Sequence, residues 1–236
     1  MQAAGQRAPL SRLLGGMLAC RGCLGPLETG SEAGLCGSCW EGLVPLPWPH
    51  CPRCALAHDP EAPCPEPVAW SLGDALWDYH GGRPPLGALL VPGIKEGEMG
   101  WRSALLRRTQ AAPLPAWTAD IELLTWAPTP LHRRWLRGFD LAEETAGLLA
   151  RRLDRPAQAT LRRAMFSGRQ ALRTESQRRL LPRKSVRLRR GAPVKDRIVL
   201  LVDDVWTTGT TLLRCAQALV EGGAREVRVL TLFRAL

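Results

Sequence analysis

The sequence predicts an α/β fold, a parallel sheet flanked by helices, behind a small cysteine-rich amino-terminal domain. Seven of the eight cysteines precede residue 65, which indicates a separate module. After them, short apolar stretches alternate with amphipathic ones, a pattern typical of strands and helices that build a parallel sheet. One apolar stretch, 199–202, ends in two adjacent acids and a threonine-rich turn. We expect the two domains to cover 1–67 and 68–236.

The composition is typical of a globular chain in the cytosol. Hydrophobic residues make up 45% of the 236 residues, which is enough for a core, and no apolar run approaches the roughly 20 residues of a membrane span. The stretch 10–20 is only briefly apolar and contains Arg12, so it predicts no signal peptide. Nine Trp are scattered between Trp40 and Trp206, and most are expected in core or domain contacts.

Positive charge is concentrated in one part of the chain. The formal net charge is +10, and residues 131–190 alone hold 17 Arg and Lys against five Asp and Glu. Such a concentration favours a polyanionic partner, either nucleic acid or a phosphorylated small molecule. An Arg-rich solvated surface without a partner is the alternative.

The first four cysteines form two Cys-x-x-Cys knuckles with twelve residues between them. This spacing lets four thiolates close a tetrahedral site, and it predicts structural zinc on Cys20, Cys23, Cys36 and Cys39. Disulfides are disfavoured because paired Cys-x-x-Cys motifs in a cytosolic chain indicate metal first. Redox catalysis is disfavoured because no thioredoxin-like βαβ pattern lies nearby. A closed site of this kind stabilises the fold and offers substrate no open position.

An incomplete second set consists of three further cysteines, Cys51, Cys54 and Cys64. Zinc would need a fourth ligand, and the candidates are His50 and His58. His58 lies between the knuckle and Cys64, whereas His50 adjoins Cys51 and is less free to converge. An occupied, a degenerate and an absent second zinc site all remain open. Because the proline-rich stretch 45–67 has little periodic apolar sequence, we expect metal to supply stability that a core cannot.

The first half of the second domain carries one predicted strand and two predicted helices. The pattern indicates a strand at 69–77 and helices at 84–93 and 101–110. Lys95 lies between the two helices. A pyrophosphate contact and an ordinary solvated lysine remain equally open for it.

Residues 121–127 are the best candidate for the first parallel strand of a nucleotide-binding unit. The loop 128–132 follows, at the edge where a parallel sheet opens its ligand crevice. Asp140 and Glu143 then form a capping-box pattern that begins a predicted helix at 140–153. Arg side chains bind phosphate oxygens in a bidentate manner, so the cations between loop and helix are candidate pyrophosphate partners: Arg133, Arg134 and Arg137.

The chemistry of the chain centres on the run 199–211, Val-Leu-Leu-Val-Asp-Asp-Val-Trp-Thr-Thr-Gly-Thr-Thr. Side chains at the end of a parallel strand open into the ligand crevice, so Asp203 and Asp204 can accept hydrogen bonds from vicinal ribose hydroxyls. Hydroxyls and backbone N–H groups at a helix N-terminus favour a phosphate, and here they belong to Thr207, Thr208, Gly209, Thr210 and Thr211. An ordinary buried strand and turn would explain the apolar residues but not the paired acids.

The run 199–211 resembles, without a gap, the phosphoribosyl pyrophosphate (PRPP) signature of type I phosphoribosyltransferases. With the knuckles before it, most of the chain resembles the ComF family of competence proteins, which join a double zinc ribbon to a phosphoribosyltransferase-like domain. The family usually has Asn where this chain has Asp140, and it usually has a further Cys after Cys64. Besides the knuckles, the resemblance rests on Tyr79-His80-Gly81, Ile94-Lys95, Ala127 to Arg134, Arg137-Gly138-Phe139 and Gln170.

In phosphoribosyltransferase-like folds a mobile hood covers the substrate, and the polar stretch 164–197 would be that hood. A lid that excludes water suits a reactive cationic sugar intermediate. A disordered linker is the alternative. With a helix that ends near 222–223 and a last strand at 226–233, the order is β, loop, α, β, hood, β, phosphate loop, α, β, as in a parallel-sheet nucleotide-binding domain. Polar contacts of the hood would be Gln170, Arg173, Arg178, Arg179 and Arg183.

The resemblance implies a part in natural transformation, in which the protein helps incoming single-stranded DNA reach the cytosolic recombination machinery. Zinc and magnesium are the implied cofactors. Mg²⁺-bound PRPP would place its ribose on Asp203 and Asp204 and its 5-phosphate on residues 207–211. Its pyrophosphate would lie between Lys95, Arg133 and Arg134. The DNA contacts would be Arg137, Arg173, Arg178 and Arg179.

Three functions remain open. One is a competence factor that binds single-stranded DNA through residues 131–190, retains the nucleotide site for structure or regulation, and works with competence-machinery proteins, which would bring it to the inner face of the membrane. The second is an active phosphoribosyltransferase of the nucleotide-salvage type, whose acceptor no residue identifies. The third is a PRPP-sensing regulator.

Overall fold

A four-stranded parallel sheet lies at the centre of the computed structural model, which describes residues 19–27, 30–59, 61–163 and 185–235. The strands are, in chain order, Leu72–Asp78 (β1), Leu123–Trp126 (β2), Leu161–Arg163 (β3), Val186–Leu188 (β4), Ile198–Trp206 (β5) and Glu226–Arg234 (β6). The main sheet has the order β1-β6-β5-β2, with every neighbouring pair parallel. The predicted α/β fold class is confirmed.

Helices cover both faces of this sheet. Those in the described residues are Gly37–Glu41 (α1), Leu86–Glu96 (α2), Met99–Ala111 (α3), Leu131–Arg137 (α4), Leu141–Leu153 (α5) and Thr210–Glu221 (α6). Leu200 and Val202 share one hydrophobic cluster with α2, α3 and α5, whereas Val199 and Leu201 share a second one with α6. Successive strand residues face opposite sides, so an uninterrupted apolar run is what a strand buried on both faces requires.

The helix that carries Lys95 is longer than predicted. α2 does not stop near Gly93 but continues to Glu96, because Ile94 is fully buried in the core. Gly97 then ends the helix with a φ of 115°, the left-handed conformation in which glycine has no steric penalty. Lys95 therefore projects from a last helical turn rather than from a connecting loop.

Two further local expectations differ from the structure. α4 begins at Leu131, inside the stretch predicted as a loop. The strand before the predicted hood, β3, pairs antiparallel with β4 instead of joining the parallel sheet. Only its approach follows β2, where Ala157 forms a parallel bridge with Leu124. Residues 164–184, which include Gln170, Arg173, Arg178, Arg179 and Arg183, lie outside the described residues.

The cysteine-rich segment packs directly on α2 and α3. The Trp101 indole donates a 2.8 Å hydrogen bond to the carbonyl oxygen of Ala33. The segment also shares a hydrophobic cluster with Leu90 and Leu105 through Cys20, Leu35, Cys39 and Trp40. The domain boundary at residue 67 remains a prediction. Within the described ranges, no helix is both long enough and apolar enough to cross a membrane.

Candidate functional site

The acid pair lies where β5 reaches the carboxyl edge of the sheet. Each carboxylate accepts a hydrogen bond from the next backbone amide, Asp203 from Asp204 over 2.9 Å and Asp204 from Val205 over 2.8 Å. The ammonium of Lys95 lies 2.5 Å from Asp204 Oδ2. These contacts hold both carboxylates in place before a ligand arrives.

A pocket opens beside this acid pair. Asp203 and Asp204 line it from β5, Lys95 from α2, and the start of α5 closes the opposite side. Three acids and two cations thus surround one small volume, which suits a ligand that carries both hydroxyl and anionic groups. The lining residues are Lys95, Thr129, Arg137, Phe139, Asp140, Leu141, Ala142, Asp203 and Asp204.

Burial is the main influence on the pKa of Asp203. It raises the pKa of Asp203 well above its usual range, and the neighbouring charge of Asp204 raises that pKa further, while Lys95 opposes the effect. Asp203 therefore holds its proton to a higher pH than an exposed aspartate does. A cation or hydroxyl donor in the pocket would favour the ionised form.

Asp140 is a buried residue with two contacts. As the predicted N-cap of α5, its Oδ1 accepts hydrogen bonds from the amides of Ala142 at 3.1 Å and Glu143 at 3.4 Å. It also lines the pocket, a role that sequence reasoning missed, as it did for Thr129. Position was the available signal for both residues. Asp140 comes immediately after the Arg-Gly-Phe step, and Thr129 lies in the loop at the end of β2.

The threonine-rich turn connects β5 to α6. Gly209 is buried with a φ of 66° and precedes the first residue of α6, while Thr207 and Thr208 are exposed. No side chain of the described residues caps the first turn of α6, so its amide groups are available to an anion. The hydroxyls of Thr208 and Thr210 lie 3.0 Å apart, on the same side of the turn.

The predicted cations have different positions. Arg137 is half-buried in the pocket wall, although it was assigned to nucleic acid as well as to pyrophosphate. Arg134 forms a 2.7 Å ion pair with Glu143, and Arg133 is exposed on α4; neither belongs to the lining set. The DNA candidates Arg173, Arg178 and Arg179 fall outside the described residues.

The first cysteine group is arranged as a metal site. A Zn–S bond of about 2.3 Å places two sulfurs of a tetrahedral site about 3.8 Å apart, and here Cys20 and Cys39 are 3.5 Å apart and Cys23 and Cys36 are 3.7 Å apart. Burial alone would raise the pKa of Cys20, but hydrogen bonds led by the amides of Cys23 and Cys36 lower it to about 6. The pKa of Cys39 is instead raised, by burial and by its hydrogen bonds to the neighbouring cysteines, and that of Cys36 is raised as well. The spacing of the four sulfurs suits a metal ion, which would favour their thiolate forms.

The second group closes with a histidine. Cys51 and Cys64 sulfurs lie 3.8 Å apart, and Cys54 Sγ lies 3.1 Å from His58 Nε2. All four ligand atoms lie within 4.8 Å of one another, so this group too can hold a metal ion. The other fourth-ligand candidate, His50, instead lies 3.2 Å from an Asp74 carboxylate oxygen.

Comparisons with known proteins find similar sequences and partly similar solved structures. The chain is 30% identical over 234 residues to the DNA utilization protein YhgH of Salmonella typhi and 29% identical to that of Escherichia coli K12, each match covering 85% of this chain and 98% of the relative. Two solved structures overlap partially with this chain. The Bacillus subtilis glutamine PRPP amidotransferase has 23% identity and a TM-score of 0.38, over 55% of this chain and 25% of that one. A Pyrococcus horikoshii purine phosphoribosyltransferase has 15% identity and a TM-score of 0.31, over 63% of this chain and 84% of that one.

The parallel sheet, with its acid pair and threonine-rich turn, is that of a phosphoribosyltransferase-type domain, and the model of the phosphoribosyl transferase domain matches residues 141–236. Two side-chain groups that could each hold a metal ion precede that domain, and the first consists of four cysteines. The YhgH relatives match this chain along nearly their whole length. The chain belongs to the ComF family.

Proposed function

We propose that the pocket binds PRPP with Mg²⁺, and that the protein handles single-stranded DNA in natural transformation. The observation that supports the ligand is the acid-lined pocket with Lys95, next to an uncapped helix N-terminus. The ribose hydroxyls donate to Asp203 and Asp204. The 5-phosphate accepts from the amides and hydroxyls of residues 207–211.

The pyrophosphate binds cations on the other side of the ribose. Lys95 and Arg137 line the pocket and carry this role more directly than Arg133 and Arg134. Magnesium would neutralise pyrophosphate oxygens and make pyrophosphate a better leaving group. The Lys95 to Asp204 ion pair balances one positive and one negative charge in the pocket, and pyrophosphate competes with Asp204 for that ammonium.

Calorimetric titration of the full chain with Mg²⁺ and PRPP tests the ligand assignment. Asp203→Asn and Asp204→Asn together replace the two charged acceptors of the ribose hydroxyls with neutral amide oxygens. We expect the affinity for PRPP to fall at least about tenfold, because hydrogen bonds to charged groups are the stronger ones. The control is Asp196→Asn, which changes an exposed aspartate far from the lining set. Equal affinity in the double variant and the wild type would exclude the ribose assignment.

The DNA proposal rests on α4. Trp135 and Leu136 are 86% and 85% exposed, and Arg133 is exposed beside them, at the rim of the pocket. Single-stranded nucleic acids bind to surfaces that combine a stacking aromatic ring with cations that follow the phosphates. The name of the relatives, DNA utilization protein, favours the same partner.

Trp135→Ala should weaken binding of a single-stranded oligonucleotide by about 1–3 kcal/mol, the typical contribution of one stacked base. The salt dependence of oligonucleotide binding should stay unchanged, because the substitution removes no charge. Trp48→Ala is the matched control, since Trp48 is also 80% exposed but lies in the cysteine-rich segment. Fluorescence anisotropy at several salt concentrations measures both quantities; equal losses in the two variants would contradict a specific stacking site on α4.

Zinc is the metal we propose for both cysteine groups, since closed thiolate and thiolate-imidazole sets are typical structural zinc ligands. An active phosphoribosyltransferase and a PRPP sensor share the ligand site proposed above. They differ in turnover, so release of pyrophosphate in the presence of candidate bases or amines separates them.

A further inference from the structure

We infer that Arg234 positions the phosphate-binding turn 207–211 through hydrogen bonds to the backbone where the turn begins, and that Glu66 connects Arg234 to the second cysteine group. The ligand named for the turn rests on the proposed function, whereas the support itself is independent of it. The residues concerned form what we call the floor cluster: Glu66, Trp70, Trp206 and Arg234.

Arg234 holds the backbone at the point where β5 becomes the turn. Its side chain is 1% exposed, and Nη1 donates to the carbonyl oxygens of Trp206 over 3.0 Å, of Ala235 over 3.1 Å, and of Thr207. Two of these acceptors are consecutive residues that lead into Gly209. A planar guanidinium that donates to successive carbonyls fixes the direction in which the chain leaves the strand.

Trp206 forms the surface on which the turn rests. A Cβ at Gly209 would lie 2.9 Å from Trp206 Nε1, so the glycine backbone is in close contact with the indole. The Arg234 guanidinium lies 4.7 Å from the centre of the same ring, and Trp70 packs against it edge-on at 5.2 Å. The position of the turn is therefore set by this indole and by what holds it.

The second cysteine group holds the floor cluster from the other side. Arg234 Nη2 donates to Glu66 over 2.9 Å, and Glu66 lies two residues after Cys64. The Trp70 indole donates over 2.7 Å to the carbonyl oxygen of Arg53, which lies inside the Cys51–Cys54 knuckle. The segments at Arg53 and at Glu66, one at each end of the second cysteine group, thus hydrogen-bond to Trp70 and Arg234. The fold of this group therefore holds the floor cluster in position.

The carboxylate of Glu66 balances the positive charge of the buried Arg234 side chain. Within the described residues, Glu66 is the acid that forms a salt bridge with the buried Arg234, and the other acceptors recorded for Arg234 are neutral carbonyls. A buried cation that loses its acid partner is strongly disfavoured. Loss of the carboxylate should therefore draw the guanidinium towards water and release the carbonyls of the turn.

Hydrogen exchange of the ligand-free, zinc-loaded full chain tests the inference. Glu66→Gln should accelerate exchange of the amides in residues 207–213 by about tenfold or more, the effect of losing a charged hydrogen bond, while β6 amides and zinc content stay unchanged. Glu61→Gln is the matched control, because it removes one exposed carboxylate from the same segment. Arg234→Lys, which keeps the charge but loses the fork, should act like Glu66→Gln.

One further variant tests the link to the second cysteine group, and two comparisons separate the role of Glu66 from the proposed ligand. Cys64→Ser should reproduce the local acceleration of Glu66→Gln, and unchanged exchange at 207–213 after loss of one equivalent of zinc would overturn the link. Equal exchange in Glu66→Gln and Glu61→Gln would overturn the floor role of Glu66, even if the wild type binds PRPP. A wild type that does not bind PRPP but shows the predicted exchange differences would refute the proposed ligand and support the floor.

Discussion

Asp203 is the residue at which the proposed binding role and the stability of the fold conflict. Burial raises its pKa, so the folded state binds the proton more tightly than the unfolded state does. Stability therefore falls as the pH rises from the ordinary aspartate pKa through the raised one. The lost stability is the free energy needed to keep a half-buried carboxylate ionised next to Asp204.

Asp203→Asn should remove this dependence, because asparagine has nearly the same shape and no charge. We expect a higher midpoint of thermal unfolding at pH 8, by roughly 2–4 °C for each ~1 kcal/mol relieved at this chain length, and a smaller gain at acidic pH. Asp196→Asn, at an exposed position, should show no such pH-dependent gain. A lower midpoint for Asp203→Asn at pH 8 would show that its ionised form stabilises the fold.

At this scale, the sequence predicted the residues with strong local context and missed those set by packing. Asp203 and Asp204 come directly after the apolar run 199–202, so their location near the carboxyl edge of the sheet could be foreseen. Of the three arginines Arg133, Arg134 and Arg137, only Arg137 lines the pocket, since the orientation of α4 decides which side chain faces inward. Glu66 is separated from Arg234 by 168 positions, and no local pattern connects such residues.

The turn between β5 and α6 is the element on which the ligand proposal depends. Gly209→Ala places a methyl group against Trp206 in a left-handed conformation, so it should cost about 2 kcal/mol of unfolding free energy or more and reduce PRPP affinity. Gly191→Ala separates the two causes, because Gly191 has a φ of 74° but open space around its Cβ position.

Chemical denaturation and calorimetry together check this prediction. The control should lose only about 1 kcal/mol, the strain alone, and should bind PRPP as the wild type does. If Gly209→Ala and Gly191→Ala behave alike in both measurements, the contact with Trp206 does not shape the turn.

Elements were predictable where sequence pattern and burial agree. α6 has a helical apolar face and was expected close to its observed bounds. β5 was expected to end at Val202, before the two acids, but its pairing with β6 continues through them to Trp206. The extension of α2 beyond Gly93 to Glu96 was not expected, because it depends on the burial of Ile94 in the core. The pairing of β3 with β4 was not foreseen either, since it joins segments separated by the stretch 164–184.

At the scale of the whole molecule, the cysteine groups and the sheet form connected structures. The first group packs against α2, which carries Lys95, and the second contacts the floor cluster beneath the turn 207–211. The first group thus supports a helix that lines the pocket, and the second supports the turn that follows β5. The cationic, aromatic α4 lies at the rim of that pocket, so a DNA strand on α4 would pass close to a bound phosphosugar.

The calorimetric titration of the zinc-loaded full chain with Mg²⁺ and PRPP tests the central claim most directly. We predict saturable binding at one site per chain, which Asp203→Asn with Asp204→Asn weakens and Asp196→Asn leaves intact. A folded, zinc-loaded protein that shows no saturable binding of PRPP would contradict the claim that this pocket is a working phosphosugar site.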